Sequence, residues 1–124
     1  MASIERFSWA ARGRSFRYAF AGLKLLVVQH NAWLHAALTL AAVAAGLVLG
    51  IDRMDWLGIV VAIALVWFAE AINTAIEHLC DVVSPGPSEA VRQAKDIAAG
   101  AVLICAVAAA LIGALVFLPH VTRW

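Results

Sequence analysis

The chain has 124 residues, of which 65% are hydrophobic and only 14% are charged. Soluble domains carry about 25% charged residues, so this composition excludes a water-soluble globule and indicates a small membrane protein. The net charge of +1 gives no overall field of the kind that attracts nucleic acid. The length predicts one domain over residues 1–124.

The first predicted element is an amphipathic helix over residues 4–28, lying on the membrane surface. Aromatic residues and arginines share this stretch at helical spacing, among them Phe16, Arg17 and Phe20. This mixture is typical of helices in the membrane interface. A plain juxtamembrane stop signal is the alternative interpretation of the same residues.

Three apolar stretches follow the surface helix. Each reaches the length of about 20 residues that a membrane crossing needs. A charged turn and a turn rich in proline and glycine separate them, and Ser88 is the expected N-cap of the third. The sequence therefore predicts an all-α membrane protein with spans at about residues 32–51, 56–83 and 94–118, and a polar turn from Ser88 is the alternative start of the third. Tryptophans predicted as interface anchors are Trp56, Trp67 and Trp124.

Basic residues in the short flanks predict the orientation, because an excess of lysine and arginine marks the cytoplasmic side. One side carries Arg6, Arg12, Arg14, Arg17, Lys24, Arg92 and Lys95. The other side carries Arg53 and Arg123. We therefore expect a multi-pass protein of the bacterial cytoplasmic (inner) membrane, with the amino terminus and the turn at residues 84–95 in the cytoplasm.

The second span contains polar residues that an apolar medium penalises. Their spacing places them on one helix face, within an arc of about 100°. An ionised group deep in lipid costs at least about 2.5–3.5 kcal/mol, so this face must meet protein, water or a metal. One asparagine or threonine would satisfy a contact between helices, whereas three carboxylates favour a functional site. The residues of this acidic stripe are Glu70, Asn73, Thr74, Glu77 and Asp81.

The ends of the acidic stripe have different expected chemistry. Glu77 and Asp81 lie near the cytoplasmic turn, at the depth where Lys95 and Asp96 open the third span. Carboxylates with Mg²⁺ and a lysine are the groups that phosphoryl transfer requires. Glu70 lies about two turns deeper, where a carboxylate could accept a proton from a lipid hydroxyl. The pattern predicts nucleotide at the interface and an alcohol acceptor in the bilayer.

Two motifs resemble a known family. Residues 70–81 read E-A-I-N-T-A-I-E-H-L-C-D and are similar to E-x-x-N-[ST]-[SA]-x-E-x-x-x-D, the signature of the prokaryotic diacylglycerol kinase family, which includes undecaprenol kinases. Residues 94–96 resemble the A-K-D segment that opens the family's third span. The resemblance covers nearly the whole chain.

The resemblance implies a homotrimeric helical bundle that is an ATP- and Mg²⁺-dependent lipid kinase, with active sites between neighbouring protomers. It assigns the base to Glu70, metal binding to Glu77 and a supporting role to Asn73 and Thr74. The nucleotide-binding residues it implies are Tyr18, Glu77, Asp81, Lys95 and Asp96. The family commonly has a further metal-ligand glutamate after the surface helix, and here Gln29 or His30 would take its place. The turn at residues 84–88 also departs from the family's S-P-E-Y-H.

The lipid acceptor follows from a weaker resemblance. Asn31 and His35 look more like the undecaprenol kinase branch and are the predicted lipid-side residues, although His30 and His35 are equally typical of interfacial anchors. Undecaprenol is therefore the expected acceptor, and diacylglycerol, giving phosphatidic acid, is the alternative. A non-catalytic protein that retains the fold, or a channel for protons or ions, are hypotheses from other classes.

Overall fold

The computed structural model describes residues 6–123, and the regular secondary structure in that range is entirely α-helical. Residues 4 and 5 of the predicted surface helix, and Trp124, lie outside the described residues. The last three helices are long and apolar enough to cross a membrane, which confirms the three predicted spans. The helices are α1 (Trp9–Val27), α2 (Ala32–Leu49), α3 (Arg53–Val83) and α4 (Glu89–Val121).

Local capping places the ends of the first two spans differently from the prediction. The second span begins at Arg53, three residues before the predicted start, because the Asp52 carboxylate accepts a hydrogen bond from the backbone N–H of Asp55 at 2.9 Å. The first span ends at Leu49, before the predicted residue 51. Gly50 follows it with φ of +62°, and the Ile51 N–H bonds back to the Gly46 carbonyl, a glycine-terminated helix end.

The helix of the third span, α4, starts before residue 94, in agreement with the alternative start through a polar turn from Ser88. Ser88 caps α4, as expected, by accepting a hydrogen bond from the Val91 N–H at 3.4 Å, and the helix therefore includes the polar turn from Glu89. At the other end α4 continues to Val121, beyond the predicted residue 118, with Pro119 inside its last turn. The polar extension adds Glu89 and Arg92 to the helix that contains Lys95 and Asp96.

The chain divides into two compact units after Trp33. In the first unit, α1 begins after Ser8, whose hydroxyl accepts a hydrogen bond from the Ala11 N–H. The aromatic residues of α1 are largely exposed, and Leu26 is its one buried residue. The location of α1 in the membrane interface stays a prediction.

In the second unit, α2, α3 and α4 share a small apolar core near the turn between α2 and α3. Ile51, Ile59 and Val116 form its buried centre. Large apolar side chains elsewhere on these helices are exposed, for example Val48 at 85% and Leu115 at 78%. Such a surface is suited to contact with hydrocarbon or other apolar helices rather than water.

Close approach of α2 and α3 depends on Gly46. A Cβ atom at this position would lie 2.7 Å from a ring carbon of Trp56 and 3.0 Å from the Ile51 Cδ1 atom. We therefore expect Gly46→Ala to lower the free energy of unfolding by about 1–3 kcal/mol, the usual cost of overpacking. Thermal unfolding in detergent measures the effect. Gly113→Ala is the matched control, since a Cβ there meets nothing within 4 Å; equal stability of the two variants would contradict the expectation.

Candidate active site

The acidic stripe on α3 is divided by burial. Glu70, Asn73 and Thr74 are buried, with exposed fractions of 4%, 8% and 9%. Glu77 and Asp81, further along the same helix, are exposed. The helical spacing thus gives one face with a buried carboxylate at one end and two accessible carboxylates at the other.

The buried carboxylate has a partner on α2. The Nε2 atom of His35 lies 3.3 Å from the Oε2 atom of Glu70, and both side chains are almost inaccessible. The structure therefore brings the predicted base together with one of the two predicted lipid-side residues. A buried carboxylate needs such a partner, because transfer of an unpaired ionised group out of water is very costly.

Two residues that were not predicted as part of the site complete this contact: Thr39, and Trp67, which was expected to be an interface anchor. The indole N–H of Trp67 donates to the Thr39 hydroxyl at 2.9 Å, and that hydroxyl donates to the His35 carbonyl at 2.7 Å. The His35 and Trp67 rings also meet edge to face, with centroids 5.9 Å apart. A threonine four residues after a histidine in an apolar helix was the available signal, since such residues share a helix face.

Two pairs of hydrogen-bonded side chains involve the exposed carboxylates of the acidic stripe. The Asn73 Nδ2 atom donates to the Glu77 Oε1 atom at 3.4 Å. Lys95 on α4 donates to Asp81 on α3, with 2.6 Å between Nζ and Oδ1. The turn at residues 84–88 thus returns the chain so that α4 places a cation beside the α3 carboxylates.

Asp96 belongs to a separate exposed ion cluster at the start of α4. Its Oδ2 atom accepts a hydrogen bond from the Arg92 guanidinium at 2.6 Å, and Arg92 also bonds to Glu89. These side chains are about 60% or more exposed. Exposed ion pairs contribute little to stability, so the groups can exchange partners with a charged ligand at small cost. Arg92 is a neighbour of the site, and its position four residues before Asp96 was the available sequence signal.

The predicted site residues of the first unit have local partners of their own. Tyr18 is 64% exposed, and the Arg17 guanidinium lies 5.8 Å from its ring centroid. The Gln29 side chain donates to the Leu25 carbonyl at 3.1 Å, so it satisfies a backbone group at the end of α1. Asn31 is exposed in the turn before α2. The roles of these three residues stay predictions.

The donors around Glu77 fit a hard divalent cation in part. Within residues 6–123 no three His, Cys, Asp or Glu side chains converge on one point. Mg²⁺, however, is usually held by one or two carboxylates together with the phosphates of its substrate. Glu77 offers an exposed carboxylate, and the adjacent Asn73 has a buried Oδ1 atom without a hydrogen-bond partner in the part of the chain that the structure describes. Both are oxygen ligands of the required kind.

Comparison with known proteins agrees with this geometry. The sequence model of prokaryotic diacylglycerol kinase matches residues 17–117. The undecaprenol kinase of Bacillus subtilis strain 168 is 35% identical over 107 residues, which cover 86% of this chain and 87% of that protein. A diacylglycerol kinase of Synechocystis is 36% identical over 107 residues, covering 85% of this chain and 61% of that protein. A Sinorhizobium diacylglycerol kinase is 35% identical over 92 residues, covering 66% of its length.

Three helices apolar enough to span a membrane, one of them with acids along one face, indicate an integral membrane protein with a polar site. With the family match over most of its length, the chain belongs to the prokaryotic diacylglycerol kinase family and is a lipid kinase.

Proposed function

We propose that this protein transfers the terminal phosphate of ATP to undecaprenol in the bacterial cytoplasmic membrane. The observation that carries the proposal is the division of the acidic stripe, with Glu70 buried and Glu77 and Asp81 exposed. A reaction between a water-soluble nucleotide and a membrane alcohol needs such a change of environment along one surface. The match over 87% of an undecaprenol kinase supports this acceptor.

In the proposed reaction Glu70 takes the proton from the lipid hydroxyl. The hydroxyl oxygen forms a bond to the γ-phosphorus as the bond between that phosphorus and the bridging oxygen of ADP breaks. The products are the lipid phosphate and ADP, and the proton on Glu70 returns to solvent. A positioned base of this kind contributes about 10²–10⁴-fold to a rate.

The exposed end of the acidic stripe is proposed to bind the nucleotide. Lys95 would neutralise phosphate charge, with Asp81 orienting its ammonium group through the 2.6 Å contact. Asp96 would also contact the nucleotide, after giving up its exposed hydrogen bond to Arg92. Glu77 and Asn73 would hold Mg²⁺, which supplies charge neutralisation on the phosphates when bound, and Thr74 would support the buried side of this group.

The orientation and assembly are part of the same proposal. The basic flanks support an orientation with the amino terminus and the Asp81–Lys95 pair in the cytoplasm, where ATP is present. We propose a homotrimer, as the family resemblance implies, and the exposed apolar side chains of α2, α3 and α4 would supply its contacts.

The acceptor is tested by comparing two lipids in one assay. Purified protein with Mg·ATP is expected to phosphorylate undecaprenol with a kcat/KM at least about tenfold above that for diacylglycerol, since apolar pockets discriminate between lipids by about 10–200-fold. Glu70→Gln protein purified in parallel corrects for contaminating kinases. The Synechocystis relative makes diacylglycerol the second candidate acceptor. If kcat/KM is higher for diacylglycerol by a similar factor, diacylglycerol replaces undecaprenol as the proposed acceptor.

A further inference from the structure

The contact between His35 and Glu70 assigns a task to the histidine. We infer that His35 is a positioning residue, which donates a hydrogen bond to Glu70 and fixes the carboxylate for proton transfer from the acceptor alcohol. This inference rests on the proposed function of Glu70. Its geometric basis is the 3.3 Å separation between His35 Nε2 and Glu70 Oε2 in a buried environment.

Hydrogen bonding favours one arrangement of the pair. An ionised carboxylate only accepts hydrogen bonds, so the His35 Nε2 atom must carry the hydrogen. The His35 Nδ1 atom is buried and has no partner among the described residues. The geometry therefore suits an imidazole that donates from Nε2 to Glu70.

Trp67 contacts the His35 ring, and Thr39 bonds to the His35 backbone. Thr39 accepts from the Trp67 indole and donates to the His35 carbonyl, which joins α2 to α3 beside the pair. Trp67 also contacts the ring edge to face and lies one turn from Glu70 on α3. A donor fixed in this way holds one carboxylate oxygen in place and leaves the other for a substrate, which is how a supporting contact preorganises a base.

His35 also connects the carboxylate with an apolar cavity. A cavity of about 340 Å³ lies between α2, α3 and α4, and His35 and Thr39 are the polar side chains in its lining. The other lining residues are apolar, including Leu38, Ala62 and Phe117. The histidine thus lies where a hydrocarbon environment ends and the buried base begins, the position in which the hydroxyl of a lipid alcohol must be received.

Three substitutions of His35 separate positioning from packing. His35→Leu retains volume but loses the donor, and kcat is expected to fall about tenfold to a hundredfold, with the KM for Mg·ATP unchanged. His35→Gln places an amide N–H near the former Nε2 atom and is expected to restore kcat to within about fivefold of wild type. His35→Asn keeps the same chemistry on a shorter side chain, and it is expected to behave like His35→Leu. Thermal unfolding in detergent verifies the fold of each variant.

The results separate this inference from the proposed function. Glu70→Gln protein is measured in the same assay with undecaprenol. If Glu70→Gln is inactive but His35→Leu retains kcat within about twofold of wild type, His35 has no positioning role. Equal decreases of kcat in His35→Gln and His35→Asn would also overturn the inference. The comparison of these two variants is sufficient if His35→Leu does not fold. Activity in Glu70→Gln would instead contradict the proposed base.

Discussion

Replacing Glu70 by glutamine is expected to lower the rate of lipid phosphorylation by about 10²–10⁴-fold, the range for loss of a general base. Glutamine has nearly the same shape but cannot accept the hydroxyl proton. Its amide can still accept the hydrogen bond of His35, so the contact between α2 and α3 remains. The initial rate with saturating Mg·ATP and undecaprenol measures the loss, and nucleotide binding is expected to persist.

Glu89→Gln is the matched control for this substitution. Glu89 is an exposed carboxylate at the start of α4, bonded to Arg92 and Gln93. Its replacement makes the same chemical change without touching the buried pair, and activity is expected within about twofold of wild type, as for most surface substitutions. Retention of substantial activity by Glu70→Gln would remove Glu70 as the base.

Glu77→Gln is expected to have the second largest effect, through the metal. The substitution removes the exposed carboxylate that is proposed to bind Mg²⁺ and leaves the neighbouring Asn73 in place. Loss of a hydrogen bond that supports a metal ligand already lowers metal affinity by about 10–100-fold, and loss of the ligand itself is expected to lower it at least as much. The concentration of Mg²⁺ for half-maximal activity measures this change.

The metal dependence distinguishes the two glutamates. Excess Mg²⁺ is expected to recover part of the activity of Glu77→Gln, because weaker binding is offset by concentration. The same excess is expected to leave Glu70→Gln inactive, since no metal replaces the proton acceptor. An unchanged Mg²⁺ requirement in Glu77→Gln would assign the cation to other ligands.

The fold was largely predictable because its main determinant is local. Apolar length and intramembrane acids at helical spacing are properties of single segments, and they predicted the three spans and the stripe on α3. The helix ends were less predictable, since they depend on individual caps. Asp52 extends α3 by three residues and Ser88 draws a polar turn into α4, whereas Gly50 ends α2 early.

The candidate site needed tertiary structure for its internal contacts. Residue type and spacing selected Glu70, Glu77 and Lys95, but not the pairing of Glu70 with His35, which are 35 positions apart on different helices. The Trp67–Thr39 bond between α3 and α2 depends likewise on tertiary packing. The roles of Tyr18, Gln29 and Asn31 stay predictions of the family resemblance.

Transfer of labelled phosphate from ATP to undecaprenol is the decisive measurement for the proposed kinase. Purified wild-type protein in detergent with Mg²⁺ is incubated with γ-labelled ATP and undecaprenol, and the extracted lipid is counted beside the same reaction with Glu70→Gln protein. We expect labelled lipid phosphate from the wild type and a yield lower by about 10²–10⁴-fold from Glu70→Gln. Equal labelling by the two proteins, or none by the wild type, would contradict the proposal.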